Sequence, residues 1–335
     1  MPRRPVAFIT GAKRGIGKGI ALTLAEQGYD GRTRFTTPNL SAFSGQSPCF
    51  QAHGSSVIVN THNRHPVLGS LGLLHSHRPV FPLTFGPPDS ADDWSLRDWA
   101  GQCHRKKGLV VWTEPFSARL PHAGESLALA MLGEIDAYEI TPDEPAQAMR
   151  GWYQLLNAGT TLPLVGASAR TANDRPIGAM QSIVCHNGGI WTDWVRYGPT
   201  ITNSAVPNVC QDNDTLYFSA LSGSAFDRVE LIINGKSVAN AKCEQHATDF
   251  VACSEHKFDG SGWAAARVIK ADGSQFAHTS AIRIGEPKPE PEARALLRTH
   301  LEKARDWVES EGRYDDPRSK VKLLDTFNEA MAKLS

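Results

Sequence analysis

No apolar run in this chain of 335 residues approaches the roughly 18 needed to cross a bilayer, so no membrane partner is expected. No excess charge exists either. The 35 basic and 35 acidic side chains balance, which leaves no electrostatic footprint for nucleic acid. A secretory leader is not evident, because the apolar stretch after Met1-Pro2-Arg3-Arg4-Pro5 breaks at Thr10-Gly11. A cytoplasmic location is therefore expected. No CxxC pair occurs among the six cysteines, which read as scattered, buried free thiols. Cys243 and Cys253 could face each other across neighbouring strands, but a reducing compartment argues against a disulfide. A G-x-S-x-G nucleophile elbow is absent too. What is left is an ordinary globular composition, 41% apolar and 21% charged. The substrate or ligand would be a small molecule, and the oligomeric state stays open.

The first segment reads strand, glycine-rich turn, helix. Val6 to Thr10 is apolar, and Ile16, Ile20, Leu22, Leu24 and Ala25 form a helical stripe. From about 55 to 170, short apolar runs alternate with helical patterns. Examples are Val57-Ile58-Val59, Leu68 to Leu74, Leu96 to Lys106 and Leu109-Val110-Val111-Trp112. Such alternation predicts an α/β unit with parallel strands. After about 205 the pattern turns to short strands, with hairpin signals at Asn234-Gly235 and Asp272-Gly273. A proline-rich linker from Glu286 to Pro291 leads into two amphipathic helices. Leu297, Leu301, Ala304 and Val308 line the first. Asp316-Pro317 opens the second, lined by Leu324, Phe327, Met331 and Leu334.

Thr10-Gly11-Ala12-Lys13-Arg14-Gly15-Ile16-Gly17 resembles the TGxxxGxG turn of short-chain dehydrogenases. The resemblance implies that Gly11, Arg14, Gly15, Ile16 and Gly17 would meet a dinucleotide phosphate at the helix N-terminus. An NADP-dependent 3-oxoacyl reductase-like activity is the function it suggests. However, no β-run follows Gly28-Tyr29-Asp30, and none of the six tyrosines has lysine four residues on. Without that pair there is no proton donor for carbonyl reduction. NADP is accordingly not expected, and the turn reads as a Rossmann-like β-α fragment over residues 1–30.

The rest of the chain resembles a different family. Val57 to Asn63, Leu68 to Leu74, Gln102 to Trp112, Gly151 to Gly159, Leu162 to Ser168 and Phe226 to Gly235 carry the similarity. They are similar to the CehA/McbA-type branch of the PHP metallohydrolase superfamily. This implies an α/β fold with a PHP-like distorted (β/α) barrel over 31–205. A small β-sandwich over 206–285 and a linker with helical hairpin over 286–335 would follow. It also implies hydrolysis of phosphoester, ester or amide bonds with divalent metal, whether zinc, manganese or iron.

The expected ligands depart from that family's pattern. The opening His-x-His is missing, and Ser47 stands near Gln46 where glutamate is expected. Ser70 replaces histidine after Gly69, Thr113-Glu114-Pro115 replaces His-Pro, and Ala167-Ser168-Ala169-Arg170 replaces the terminal Asp-x-His. Each change removes an imidazole or carboxylate that would hold metal and activate water. A rearranged metal centre is one alternative. His75 and His77, two apart in extended chain, would point to one side. His62 and Glu114 each follow a strand, and His62, His75, His77 and Glu114 would make a zinc-like shell. A binding protein with a degenerate centre is the other alternative. Asp89, Asp92 and Asp93 lie in a Pro/Gly/Ser loop and are expected to cap the helix near Ser95.

Overall fold

The computed structural model describes residues 6–9, 43–52, 55–82, 92–117, 123–140, 145–166, 180–186, 190–197, 206–273, 275–286 and 288–335. The elements of the first part are β1 (Val6–Ile9), β2 (Phe50–Ala52), β3 (Ser55–Val59), β4 (Thr61–His65), β5 (Gly69–Leu74), α1 (Leu96–Arg105), β6 (Leu109–Trp112) and α2 (Gly124–Leu132). Next come β7 (Ala137–Ile140), α3 (Pro145–Asn157), β8 (Leu164–Gly166), β9 (Met180–His186) and β10 (Ile190–Tyr197). The strands β11 (Val206–Asp212), β12 (Thr215–Ser222), β13 (Arg228–Ile233), β14 (Lys236–Lys242), β15 (Glu244–His246) and β16 (Asp249–Lys257) follow. Last are β17 (Gly262–Ile269), β18 (Gln275–Thr279), β19 (Ile282–Ile284), α4 (Pro291–Ser310) and α5 (Pro317–Ala332).

Two compact units divide the chain. The first holds 1–137, 170–175 and 296–335; the second holds 138–169 and 176–295. In the first unit, β1 pairs in parallel with β3, Val6 opposite Ser56 and Ile9 opposite Val59, while β2 pairs antiparallel with β3. The N-terminal strand thus finds its sheet neighbour inside the following sequence. In a second sheet, β4 pairs antiparallel with β5 and β5 antiparallel with β6. Leu68, Leu71, Leu73, Leu96, Trp99, Trp112 and Leu127 are fully buried there. Each such side chain contributes about 1.5–3 kcal/mol on burial. At the start of α1, Ser95 accepts from the Asp98 N–H and Asp98 accepts from the Ser95 N–H, a reciprocal capping box.

Leu297, Leu301, Ala304 and Val308 of α4 are buried, as their spacing requires. Leu334, just past α5, is buried too, and on the helix itself the buried face is Leu323, Thr326, Phe327 and Ala330. It is rotated slightly from the expected stripe, so Leu324 and Met331 lie at its margin. Asp316 caps α5 through the Arg318 N–H, with Pro317 in the first turn.

The second unit pairs β7 with β8 in parallel and then becomes antiparallel. One sheet has the order β14-β13-β17-β18-β10-β9 with β19 beside β17; another is β11-β12-β16-β15. Val209, Leu216, Phe218 and Ala220 of the second sheet share one core with Val229, Leu231, Ile233, Ala264, Ala266 and Val268 of the first. Asn234 (φ 47°) and Gly235 (φ 81°) turn the β13–β14 hairpin in the left-handed region.

Three expectations are corrected. The distorted (β/α) barrel does not form: no sheet among the described residues closes on itself. A (β/α) barrel needs parallel strands joined by helical crossovers. Here a turn over 66–68 joins β4 directly to β5, and β5 meets β6 antiparallel. That pairing also overturns the parallel reading of these strands. Cys49, Cys103, Cys210, Cys243 and Cys253 are free, but Cys49, Cys210 and Cys253 are exposed and only Cys103 of these is buried. Among the described residues no helix is long and apolar enough to cross a membrane.

Candidate functional site

The antiparallel pairing of β4, β5 and β6 decides which side chains share a face. His62 lies opposite Gly72, Arg64 opposite Ser70, and Gly72 opposite Val111. Thr113 continues β6 and donates its N–H to the Ser70 carbonyl at 3.2 Å. His62, Arg64, Ser70 and Thr113 therefore project to one side of the sheet.

Their polar atoms close on each other. The His62 Nε2 lies 2.8 Å from the Ser70 Oγ and 2.9 Å from the Thr113 Oγ1. The two hydroxyls are also hydrogen-bonded together. Ser70 and Thr113 are buried, while Glu114 and Arg64 form a partly exposed ion pair at 3.6 Å. Burial pulls the His62 pKa below its ordinary value, Glu114 pushes it back up and Arg64 lowers it. The imidazole is thus neutral near pH 7. Glu114 (φ 51°) and Phe116 (φ 52°) both occupy the left-handed region, which costs a non-glycine residue about 1–3 kcal/mol and is often found at functional sites.

The expected four-residue metal shell divides in two. His62 and Glu114 lie at the Ser70 end of β5. His75 lies five residues along from Ser70, roughly 16 Å in extended chain. Its φ of 56° ends the strand, so the extended geometry that would align it with His77 is absent. The His75 N–H donates to the Asn60 Oδ1 at 2.8 Å, and its carbonyl accepts from the Gln46 Nε2 at 3.0 Å. The exposed His77 binds the Lys106 carbonyl through Nδ1 at 2.7 Å. Among the described residues no group of three or more His, Cys, Asp or Glu side chains is placed to hold a metal.

The donor set around His62 does not fit a divalent ion as arranged. Zinc takes imidazole, thiolate or carboxylate at about 2.0–2.3 Å, with ligands spread around the ion. Here one imidazole and two neutral hydroxyls are bonded directly to one another. Glu114 is engaged by Arg64.

In the sequence, Ser70 and the Thr113 of the segment Thr113-Glu114-Pro115 read only as replacements of expected ligands. Their convergence on His62 depends on the β4–β5–β6 register, for which the polar segment Thr61 to His65 gave no apolar signal. Asp92 and Asp93 also act elsewhere than expected. Asp92 meets the His65 Nε2 at 2.8 Å and accepts from the Arg313 N–H at 2.9 Å. Asp93 accepts from the Asp316 N–H at 3.1 Å. Gly11, Arg14, Gly15, Ile16, Gly17 and Asp89 lie outside the described residues. Comparison of the chain with protein-family models and with curated proteins finds no match.

Proposed function

We propose that this protein is a non-catalytic binding protein derived from a PHP-type metallohydrolase, its metal centre converted into a hydrogen-bonded cluster. The observation that carries this reading is the triangle of His62, Ser70 and Thr113. Ser70 stands where the resemblance expects a histidine, Thr113 opens the Thr113-Glu114-Pro115 segment found where it expects His-Pro, and both contact His62. Hydroxyls at those places satisfy the imidazole without a metal. The Arg64–Glu114 pair and the left-handed Glu114 and Phe116 supply a polar, shaped rim for a small ligand.

Elemental analysis of purified protein tests the proposal. Zinc, manganese and iron are each expected well below one per chain, with no hydrolysis of phosphoester, ester or amide substrates after metal is added. A tightly held stoichiometric metal, or metal-dependent turnover abolished by His62→Ala, would instead establish a divergent hydrolase.

A further inference from the structure

α1 runs out into Arg105, Lys106 and Lys107, and the chain that leaves β5 returns to that helix end. The His77 N–H donates to the Lys106 carbonyl at 3.0 Å, and the His77 Nδ1 donates to the same oxygen at 2.7 Å. The next residue, Arg78, is thereby set beside the end of α1. Arg78, Arg105 and Lys107 are exposed and Lys106 is half-buried. The fields of Arg105 and Arg78 reach the Lys106 ammonium. Cations stabilise a helix C-terminus, which accounts for Arg105 to Lys107. It does not account for Arg78, which comes from another segment.

Phe81 stands at the same place. It is 46% exposed, while the preceding Val80 is fully buried and anchors the segment from inside. The Phe81 N–H donates to the Gln102 Oε1 at 3.3 Å, and its carbonyl accepts from the Gln102 Nε2. One side-chain amide thus holds the Phe81 main chain as a neighbouring strand would. The Pro82 carbonyl accepts from the Trp99 Nε1 at 2.8 Å and from the Asn63 Nδ2 at 3.3 Å. Lys106 ties both parts together. Its ammonium donates to the Pro79 carbonyl at 2.7 Å and to the Gln102 Oε1 at 3.1 Å, and lies 5.9 Å from the centre of the Phe81 ring. The frame holds an apolar ring out toward water among cations.

We propose that Phe81, Arg78, Arg105, Lys106 and Lys107 form a docking surface for an acidic segment of a partner protein, with one apolar side chain of that segment packed on Phe81. The cations draw the carboxylates in and set the register. The ring supplies the apolar anchor, and its frame is ordered before the partner arrives, so little freedom is lost on binding. Nucleic acid fits less well. The chain's 35 basic and 35 acidic side chains give no long-range pull on a polyanion, and one face of the Phe81 ring already meets the Lys106 ammonium, where a stacked base would lie. The surface is at the His75 end of β5, away from the His62 cluster at the Ser70 end, and stands whether or not that cluster binds a ligand.

Selection of displayed random peptides, roughly twelve residues long, on the intact chain tests the proposal. Sequences in which several Asp or Glu flank a Leu, Phe or Trp should be enriched. A selected peptide, labelled and followed by fluorescence anisotropy, should bind Phe81→Ala at least about fivefold more weakly, and Phe81→Tyr about as well as the unsubstituted chain. Arg78→Ala together with Arg105→Ala should weaken binding by at least about threefold and reduce its dependence on salt. The substituted side chains are exposed, and circular dichroism checks that each variant keeps its fold. Selection without acidic enrichment would overturn the proposal. So would equal binding to Phe81→Ala, which would leave charge attraction alone, or tighter binding of a single-stranded oligothymidine of the same charge as the peptide.

Discussion

The His278 ring in the second unit accepts the phenolic proton of Tyr153 across 2.7 Å. Its other nitrogen, Nδ1, lies 2.6 Å from the Thr279 carbonyl, which can only accept. The proton therefore sits on Nδ1, and Nε2 takes the Tyr153 O–H. Arg267 bonds to the Tyr153 oxygen and also to Glu230, at 2.5 Å. Trp152 and Trp263 pack around the same ring pair. Tyr153→Phe would leave a buried imidazole nitrogen without its donor. We expect a loss of about 1–3 kcal/mol in denaturant titration, well above that of an exposed tyrosine such as Tyr217.

The same burial makes the second unit sensitive to acid. Burial pushes the His278 pKa down to about 3, with Arg267 acting in the same direction and the Thr279 contact opposing it. The unfolded chain takes up a proton near pH 6.5. The folded state resists that proton, so its stabilising contribution is complete above pH 6.5 and declines as pH falls toward 3. Each unit of pH in that window costs about 1.4 kcal/mol. Unfolding at pH 5 should be easier than at pH 7 by on the order of 2 kcal/mol from this group. His278→Asn should flatten the slope; an unchanged slope would remove His278 as its source.

A double-mutant cycle checks whether Ser70, Thr113 and His62 act as one cluster. Ser70→Ala and Thr113→Val each remove one hydroxyl, while His62 keeps the other. Removing both leaves the buried imidazole with neither. The double variant should deviate from additivity by about 0.5–3 kcal/mol, measured by denaturant unfolding. Strict additivity would mean that the hydroxyls contribute separately and that the triangle is not a unit.

Much of this architecture is legible in the residues, but not the strand pairing of its open sheets or its site. Leu109-Val110-Val111-Trp112 is apolar throughout and becomes a fully buried strand, while Leu297, Leu301, Ala304 and Val308 mark one helix face by spacing alone. Such elements reveal themselves because burial dictates composition. Thr61 to His65 is different. Asn63 and His65 are buried polar residues, and His65 is satisfied by Asp92 and by the Val67 and Leu68 N–H groups. Hydrogen bonds made far along the chain replace the apolar signal. With β4 unseen, β5 and β6 read as parallel strands separated by a helix, and nothing in that reading opposes the barrel that the PHP resemblance implies. The site was half-legible for the same reason: His62 and Glu114 were singled out, but their partners depend on cross-strand register.

Gly69 offers the sharpest check on that register. Its φ of 118° lies where a side chain is strained. An added Cβ would fall on the Ser126 hydroxyl and come within 3.2 Å of the Ser126 Cβ and 3.3 Å of a Leu96 methyl. Gly69→Ala therefore combines backbone strain with overpacking, at a cost of about 2–4 kcal/mol. The adjacent Ser70 would move with it, so His62 should lose protection in histidine NMR as well as global stability falling. Ser126→Ala in the same chain removes the hydroxyl but not the strained φ or the Cβ contact. It should recover part of the loss and no more. Full recovery would show that the hydroxyl clash alone mattered, and a neutral Gly69→Ala would contradict the close packing of α2 on the start of β5.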